Sequence, residues 1–193
     1  MTLHIRILWG LLDPKEVPKT PPAEMLATFS ERFSTEASIY ECREGPSLIL
    51  PSLVQIGSSV SVTDHGQINA QVRQVEEHML EYMQSCLARF GFVAWCPDLQ
   101  LTPYSLYNAA CRVIALDTFK QALVSHTYAH LKPNTTYAKN MPFLIRLYDH
   151  IVHHYLYLRY KKDSRNPGSV RAADEAGPQY RGRVRVGPSH KHT

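Results

Sequence analysis

The sequence predicts a mainly α-helical fold, a bundle of about four helices with an irregular N-terminal arm and a disordered basic C-terminal tail. Three long stretches carry apolar residues at the spacing of an amphipathic helix. Residues 163–193, in contrast, are rich in Gly, Pro, Ser and charge and have almost no large apolar side chains, so little burial can offset the entropy of ordering them. The predicted units are an arm at 1–63 with one short helix, a helical core domain at 64–162 and a flexible tail at 163–193.

The composition fits one globular domain. The chain has 193 residues, of which 44% are hydrophobic and 20% charged, and a chain of this length buries roughly 70% of its unfolded surface on folding. The four cysteines form no C-x-x-C pair, so we expect them to be reduced. The apolar start is short and interrupted by Arg6, which argues against a signal peptide. We expect an intracellular protein, with the nucleus among the candidate compartments, and no membrane association.

The first part of the chain lacks a long helical pattern. Residues 3–12 alternate poorly in polarity and predict a strand or a buried extended arm. A proline-rich loop follows, and Thr20 can then cap a short helix over 22–34 whose first turn contains prolines. Over 38–61, short apolar pieces separated by Gly and Pro predict extended structure or short strands.

A strong helical pattern covers residues 64–90. Its apolar stripe is regular, its other side carries Arg and Glu, and Gly91 is placed to end it. In the connection that follows, Trp95 and Cys96 precede a proline. We expect these two side chains to plug the core.

Two further helices complete the predicted bundle. One runs over 103–131 and stops before Pro133. The other runs over 141–162, where Asn140 can cap the start and Pro142 lies in the first turn. The short links favour antiparallel neighbours, with helix 22–34 laid across them.

The positive charge is concentrated in the tail. Residues 161–193 contain eight Lys or Arg and three acids, a net charge of +5, whereas residues 1–160 carry −1. Phosphates attract cations on a flexible segment, and nucleotide bases stack on exposed aromatic rings. The sequence therefore predicts a non-catalytic helical module that associates with DNA or RNA through a basic, tyrosine-containing helix end and an arginine-rich tail. The predicted contact residues are Tyr157, Tyr160, Lys161, Lys162, Arg165, Arg181, Arg183 and Arg185.

Histidine spacing supports a different hypothesis, a metal-dependent enzyme. Two imidazoles at i and i+4 on one helix face can reach one metal ion, and two such pairs on adjacent helices can supply four ligands to a transition metal such as zinc. The spacing of His126 and His130, and of His150 and His154, resembles the histidine boxes of membrane-bound di-iron hydroxylases and desaturases. Those proteins need several membrane spans and a third box, and this sequence indicates neither, so we do not assign the chain to that family. The simpler interpretation is that these histidines border apolar helix faces. The residues concerned are His126, His130, His150 and His154.

Other signs of catalysis are weak, and a protein-interaction function stays open. The sequence contains no G-x-S-x-G, no phosphate-binding loop, no G-x-G-x-x-G and no H-E-x-x-H motif. The alternative to nucleic-acid binding is a protein-interaction module that uses the polar face of helix 141–162. That face carries Arg146, Asp149, His153 and Tyr157.

Overall fold

The computed structural model describes residues 1–56 and 67–175. Within these ranges the chain is mainly helical, as predicted, and forms no β-strand beyond a single parallel bridge between Gln55 and Ala94. The prediction of about four helices was too low, and a four-helix bundle is not confirmed. The described helices are α1 (Thr2–Trp9), α2 (Ala23–Arg32), α3 (Glu36–Arg43), α4 (Gln67–Val72), α5 (Glu77–Arg89), α6 (Leu106–Val124), α7 (Met141–Asp149) and α8 (Tyr157–Arg165), with short 3-10 turns at Pro51–Leu53, Ala129–Leu131 and Thr135–Tyr137.

Helix α6 is the centre of the fold. It contacts α1, α2, α3, α5 and α7, and small side chains on it let these neighbours approach closely. Ala110, Ala115 and Ala122 have no exposed surface at all. The sequence predicted a helix over 103–131, but α6 begins after Ser105, whose hydroxyl accepts a hydrogen bond from the Asn108 amide at 3.3 Å, and it ends at Val124.

Helix α1 replaces the predicted strand or extended arm over residues 3–12. This prediction was wrong because α1 is covered on every side. A helix buried all round has no polar face, so its apolar spacing cannot be told from that of a buried strand. Its six buried residues are Leu3, His4, Ile5, Arg6, Ile7 and Leu8.

A buried polar network fixes α1 to the centre of the molecule. His4 has no exposed surface, and its Nδ1 and Nε2 lie 2.8 Å from the Tyr128 hydroxyl and 2.9 Å from the Thr118 hydroxyl. Thr118 donates to the Ile114 carbonyl at 2.7 Å, so it accepts from His4 Nε2, and Nδ1 accepts from Tyr128. Burial, followed by the positive amino group at Met1, lowers the pKa of His4 to about 3.

Helices α2 and α3 form the rest of the N-terminal region. The helix predicted over 22–34 is confirmed as α2, with Phe29 buried. The extended structure predicted for 38–61 is wrong at its start, where α3 is helical and begins at the cap Thr35. In α3 only Ile39 is fully buried, so two helical turns give too little periodicity to detect. Residues 57–61 lie outside the described part of the chain.

The helix predicted over 64–90 is divided in two. Helices α4 and α5 are separated by a turn in which the Val75 amide donates to the Val72 carbonyl at 2.9 Å. Residues 64–66 lie outside the described ranges. The predicted end at Gly91 is confirmed: Gly91 has a φ of +71°, and the Phe92 amide donates to the Leu87 carbonyl at 3.1 Å, the pattern of a Schellman motif.

The connection from α5 to α6 plugs the core, as predicted. Trp95 is 1% exposed and donates from Nε1 to the Cys111 carbonyl at 3.0 Å, and Cys96 is 7% exposed. Asn108, which is fully buried, holds this connection in place through hydrogen bonds. Its side chain exchanges two 2.9 Å hydrogen bonds with the backbone of Asp98 and donates a third, also of 2.9 Å, to the Thr102 carbonyl. All four cysteines are free thiols.

Candidate functional site

The long helix predicted over 141–162 is confirmed, but its middle has an unexpected geometry. Asn140 caps it by accepting from the Phe143 amide at 3.1 Å. After α7 the chain continues as a π-helix over His150–Leu156, called here the π segment, and then as α8. Because π turns are wider than α turns, the π segment rotates all later side chains relative to the α-helical prediction.

This rotation changes which residues face the core. At α-helical spacing, Tyr155 and Leu158 would lie on the same apolar stripe as Leu144 and Tyr148, but they are 46% and 50% exposed. One series of inward positions recurs every four residues. Ile151 is buried beside this series, and Tyr157 packs partly against the core. The four-residue series is Leu144, Tyr148, Val152, Leu156 and Tyr160, the first four buried and Tyr160 partly buried.

The predicted nucleic-acid contacts on α8 therefore divide into two groups. Lys161, Lys162 and Arg165 are exposed, and within residues 1–56 and 67–175 none of them forms an ion pair. Tyr157 and Tyr160 are half-buried. The ammonium group of Lys161 lies 5.6 Å from the Tyr157 ring centroid, and the Tyr160 hydroxyl accepts from the Gln100 side chain at 2.8 Å. The predicted contacts Arg181, Arg183 and Arg185 lie outside the described residues.

The chain after α8 is ordered up to residue 175, which corrects part of the predicted disordered tail. Residues 166–175, called here the C-terminal segment, turn at Gly168 with a φ of +81° and are helical over 169–175. Val170 is 3% exposed, and three ion pairs involve the end of this segment. The burial of Val170 and these ion pairs hold residues 166–175 against the rest of the protein, which the composition of the segment did not predict. Residues 176–193 lie outside the described part, and the division into units at 63 and 162 stays a prediction.

These ion pairs use the acidic residues of the C-terminal segment. Asp174 pairs with Arg159 at 3.0 Å, and Glu175 pairs with Lys15 at 3.0 Å and with Arg171 at 3.5 Å. Arg159 also donates to the Pro14 carbonyl at 2.9 Å. The acidic residues of the C-terminal segment therefore neutralise Arg159 and Lys15. The cations at the end of α8 have no such partner among the described residues.

Two adjoining grooves run along this surface. One, of about 390 Å³, is lined by His150, His154, Tyr155 and Val170, among others. The other, of about 470 Å³, is lined by Leu158, Lys161, Lys162, Arg165, Asn166 and Ser169. Leu158 and Lys162 belong to both. The second groove is thus an open trough whose charged side chains are all positive.

The four histidines proposed as metal ligands lie on two separate parts of the structure. His126, which has a φ of +57°, and His130 are exposed after the end of α6. His150 and His154 are exposed on the π segment, with their rings stacked at 5.2 Å. In the described ranges, no three His, Cys, Asp or Glu side chains are grouped so that they could hold a metal ion.

The face predicted to meet a protein partner packs partly against α6. Asp149 lies 3.7 Å from the Arg112 guanidinium, and burial raises the pKa of Asp149 although Arg112 opposes the shift. Burial, followed by the charge of Arg112, lowers the pKa of His153 to about 4. Arg146 is exposed and Tyr157 is half-buried. A protein interface here stays a prediction.

Comparison of the chain with family models, curated proteins and solved structures gives no significant match. Among the described residues, none of the helices has the length and apolar character needed to cross a bilayer. The function must therefore be inferred from the charges and geometry of this chain alone.

Proposed function

We propose that the protein binds nucleic acid without catalysis, through the trough at the end of α8 and the arginine-rich residues 181–185. The supporting observation is the distribution of ion pairs. Asp174 and Glu175 neutralise cations that fix the C-terminal segment, whereas Lys161, Lys162 and Arg165 stay exposed on one groove with no ion pair to a described residue. Adjacent unneutralised cations favour a polyanion because each phosphate contact releases condensed counterions.

The π segment determines which tyrosine can stack on a base. Tyr157 and Tyr160 pack against the body of the protein, so they are poor platforms for base stacking, whereas Tyr155 is 46% exposed beside the adjoining groove. Binding should then depend mainly on phosphates and discriminate little between sequences.

A structural explanation competes with this function. Lys and Arg near a helix C-terminus also stabilise the helix through its dipole, by about 0.3–1 kcal/mol each. Replacing them could then lower stability without affecting any ligand. The experiment must therefore measure binding and stability separately.

Fluorescence anisotropy tests the proposal. The probes are labelled single-stranded DNA, single-stranded RNA and duplex DNA, and the salt concentration is varied from about 25 to 200 mM, a range over which counterion release is measurable. The test variant is Lys161→Gln, Lys162→Gln, Arg165→Gln. The matched control is Lys19→Gln, Lys139→Gln, Arg146→Gln, which removes the same charge from exposed positions without an ion pair to a described residue.

We expect the test variant to bind more weakly, and its salt slope on duplex DNA to decrease by about 0.9 for each phosphate that the protein no longer neutralises. The control should keep the wild-type slope. A third protein truncated after residue 175 measures the contribution of residues 176–193. Equal binding by test and control variants, or no binding at the lowest salt concentration, contradicts the proposal.

A further inference from the structure

A second positively charged site lies away from the trough, between α3, α5 and α6. A cleft of about 350 Å³ opens here, within the size range of small-molecule sites. A neighbouring cleft of about 360 Å³ shares Arg43, Asp117 and Lys120 with it. It adds apolar side chains of α3, α6 and α7, including Ile39 and Leu116, and the charged side chains of Glu36 and Arg112. The two clefts meet at a junction formed by the three shared charged residues. The first cleft is mainly polar, and the second is more apolar than the first.

The charges at this junction do not cancel. Arg43 donates from Nη2 to Asp117 at 2.7 Å and from Nε to the other carboxylate oxygen, so these two side chains neutralise each other. Arg89 donates to a neutral group, the Arg43 carbonyl, at 3.0 Å. Neither Arg89 nor Lys120 forms an ion pair with another residue of the described ranges.

The other polar groups that line the first cleft are compatible with an anion. Burial raises the pKa of Tyr82 to about 12, so its hydroxyl stays protonated and can donate. Burial also raises the pKa of Cys86, which keeps a neutral thiol there. Gln121 adds an amide, and Glu44, an exposed acid that forms no ion pair with another described residue, lies at the rim.

We infer that this cleft binds the phosphate group of a small organic phosphate monoester, with Arg89 and Lys120 facing the dianion and the apolar side chains of the neighbouring cleft, such as Ile39 and Leu116, contacting the organic substituent. Arg89 and Lys120 oppose the charge of about −1.5 to −2 that such a phosphate carries near pH 7. With three cations and two acids, Glu44 included, the lining of this cleft carries a net charge of +1. Tyr82 donates a further hydrogen bond to it. This site is separate from the trough of α8 and does not depend on nucleic-acid binding.

Calorimetric titration of the full chain with phenyl phosphate tests this inference, with benzoate and phenol as probes that alter or remove the charge. Phenyl phosphate should bind more tightly than benzoate, and phenol should not bind measurably. Lys120→Gln should weaken phenyl phosphate binding at least tenfold. Glu44→Gln should strengthen it severalfold because it removes the opposing charge at the rim. Lys139→Gln, an exposed control, should leave it unchanged.

Several results would overturn the inference. They are the lack of phenyl phosphate binding at millimolar concentration, benzoate binding as tight as that of phenyl phosphate, and equal affinities for wild type and Lys120→Gln. Glu44→Gln keeps the test decisive if Lys120→Gln lowers stability, since the exposed rim position should not affect folding. Phenyl phosphate titrated into the α8 triple variant should give the wild-type affinity, which separates this site from the proposed nucleic-acid surface.

Discussion

Acidification should destabilise the protein through His4. The unfolded chain binds a proton at this residue below pH 6.5, but the folded protein binds it only near pH 3. Between these values the unfolded state holds more protons, so stability falls as the pH falls, by up to about 1.4 kcal/mol per pH unit. At pH 5 the loss relative to pH 7.5 amounts to about 2 kcal/mol, a large part of the 5–15 kcal/mol typical of a domain.

Urea unfolding at several pH values between about 5 and 7.5 measures this loss. His153 acts in the same direction, because its pKa is also lowered, to about 4. The comparison with His4→Gln isolates the contribution of His4: this variant should start less stable at pH 7.5 but lose about 2 kcal/mol less than wild type on acidification. His130→Gln, exposed after α6, is the control and should follow wild type. If His4→Gln and wild type lose stability in parallel, the buried imidazole is not the titrating group.

Three further predictions concern the elements that position the two sites. Asn108→Ala should cost about 2–4 kcal/mol in chemical denaturation because it leaves the buried amide and carbonyl of Asp98 without their hydrogen bonds to Asn108. Gln121→Ala, on the more exposed side of α6, should cost under about 1 kcal/mol. Gly91→Ala should cost about 1–2 kcal/mol because its φ of +71° disfavours a side chain, and Gly45→Ala, with no positive φ, should cost less. Asp174→Asn with Glu175→Gln should speed hydrogen exchange over 169–175 and leave the melting temperature nearly unchanged; equal exchange in both proteins would show that these ion pairs do not hold the C-terminal segment.

The sequence predicts well those helices that have one apolar and one polar face. The patterns over 22–34 and 141–162 led to α2 and to the long helix, and the caps Asn140 and Gly91 lie where the sequence places them. Prediction failed where burial removes the contrast between faces. Helix α1 is buried all round, and the sequence predicted a strand or extended arm there. Helix α6, buried over most of its surface, was predicted as a helix, but with bounds of 103–131 that are too wide.

The candidate sites were predictable in residue type but not in geometry. The concentration of positive charge after residue 160 is enough to indicate Lys161, Lys162 and Arg165. The π segment determines which tyrosines face outward. In the sequence, the π segment is indicated only by the four-residue spacing of apolar residues from Leu144 to Tyr160. The cleft beside Lys120 combines residues from α3, α5 and α6, and no short motif records such an arrangement.

The alanines at the centre of α6 restrict how this protein can change over evolution. Since Ala110, Ala115 and Ala122 are completely enclosed, a larger residue at any of them would push neighbouring helices apart, at a cost of about 1–3 kcal/mol. Divergent descendants of this chain should therefore keep Gly, Ala or Ser there while their surfaces change freely. Small residues at these three positions, followed by a helix that begins with a proline in its first turn, form a pattern by which distant relatives could be recognised after overall identity has been lost.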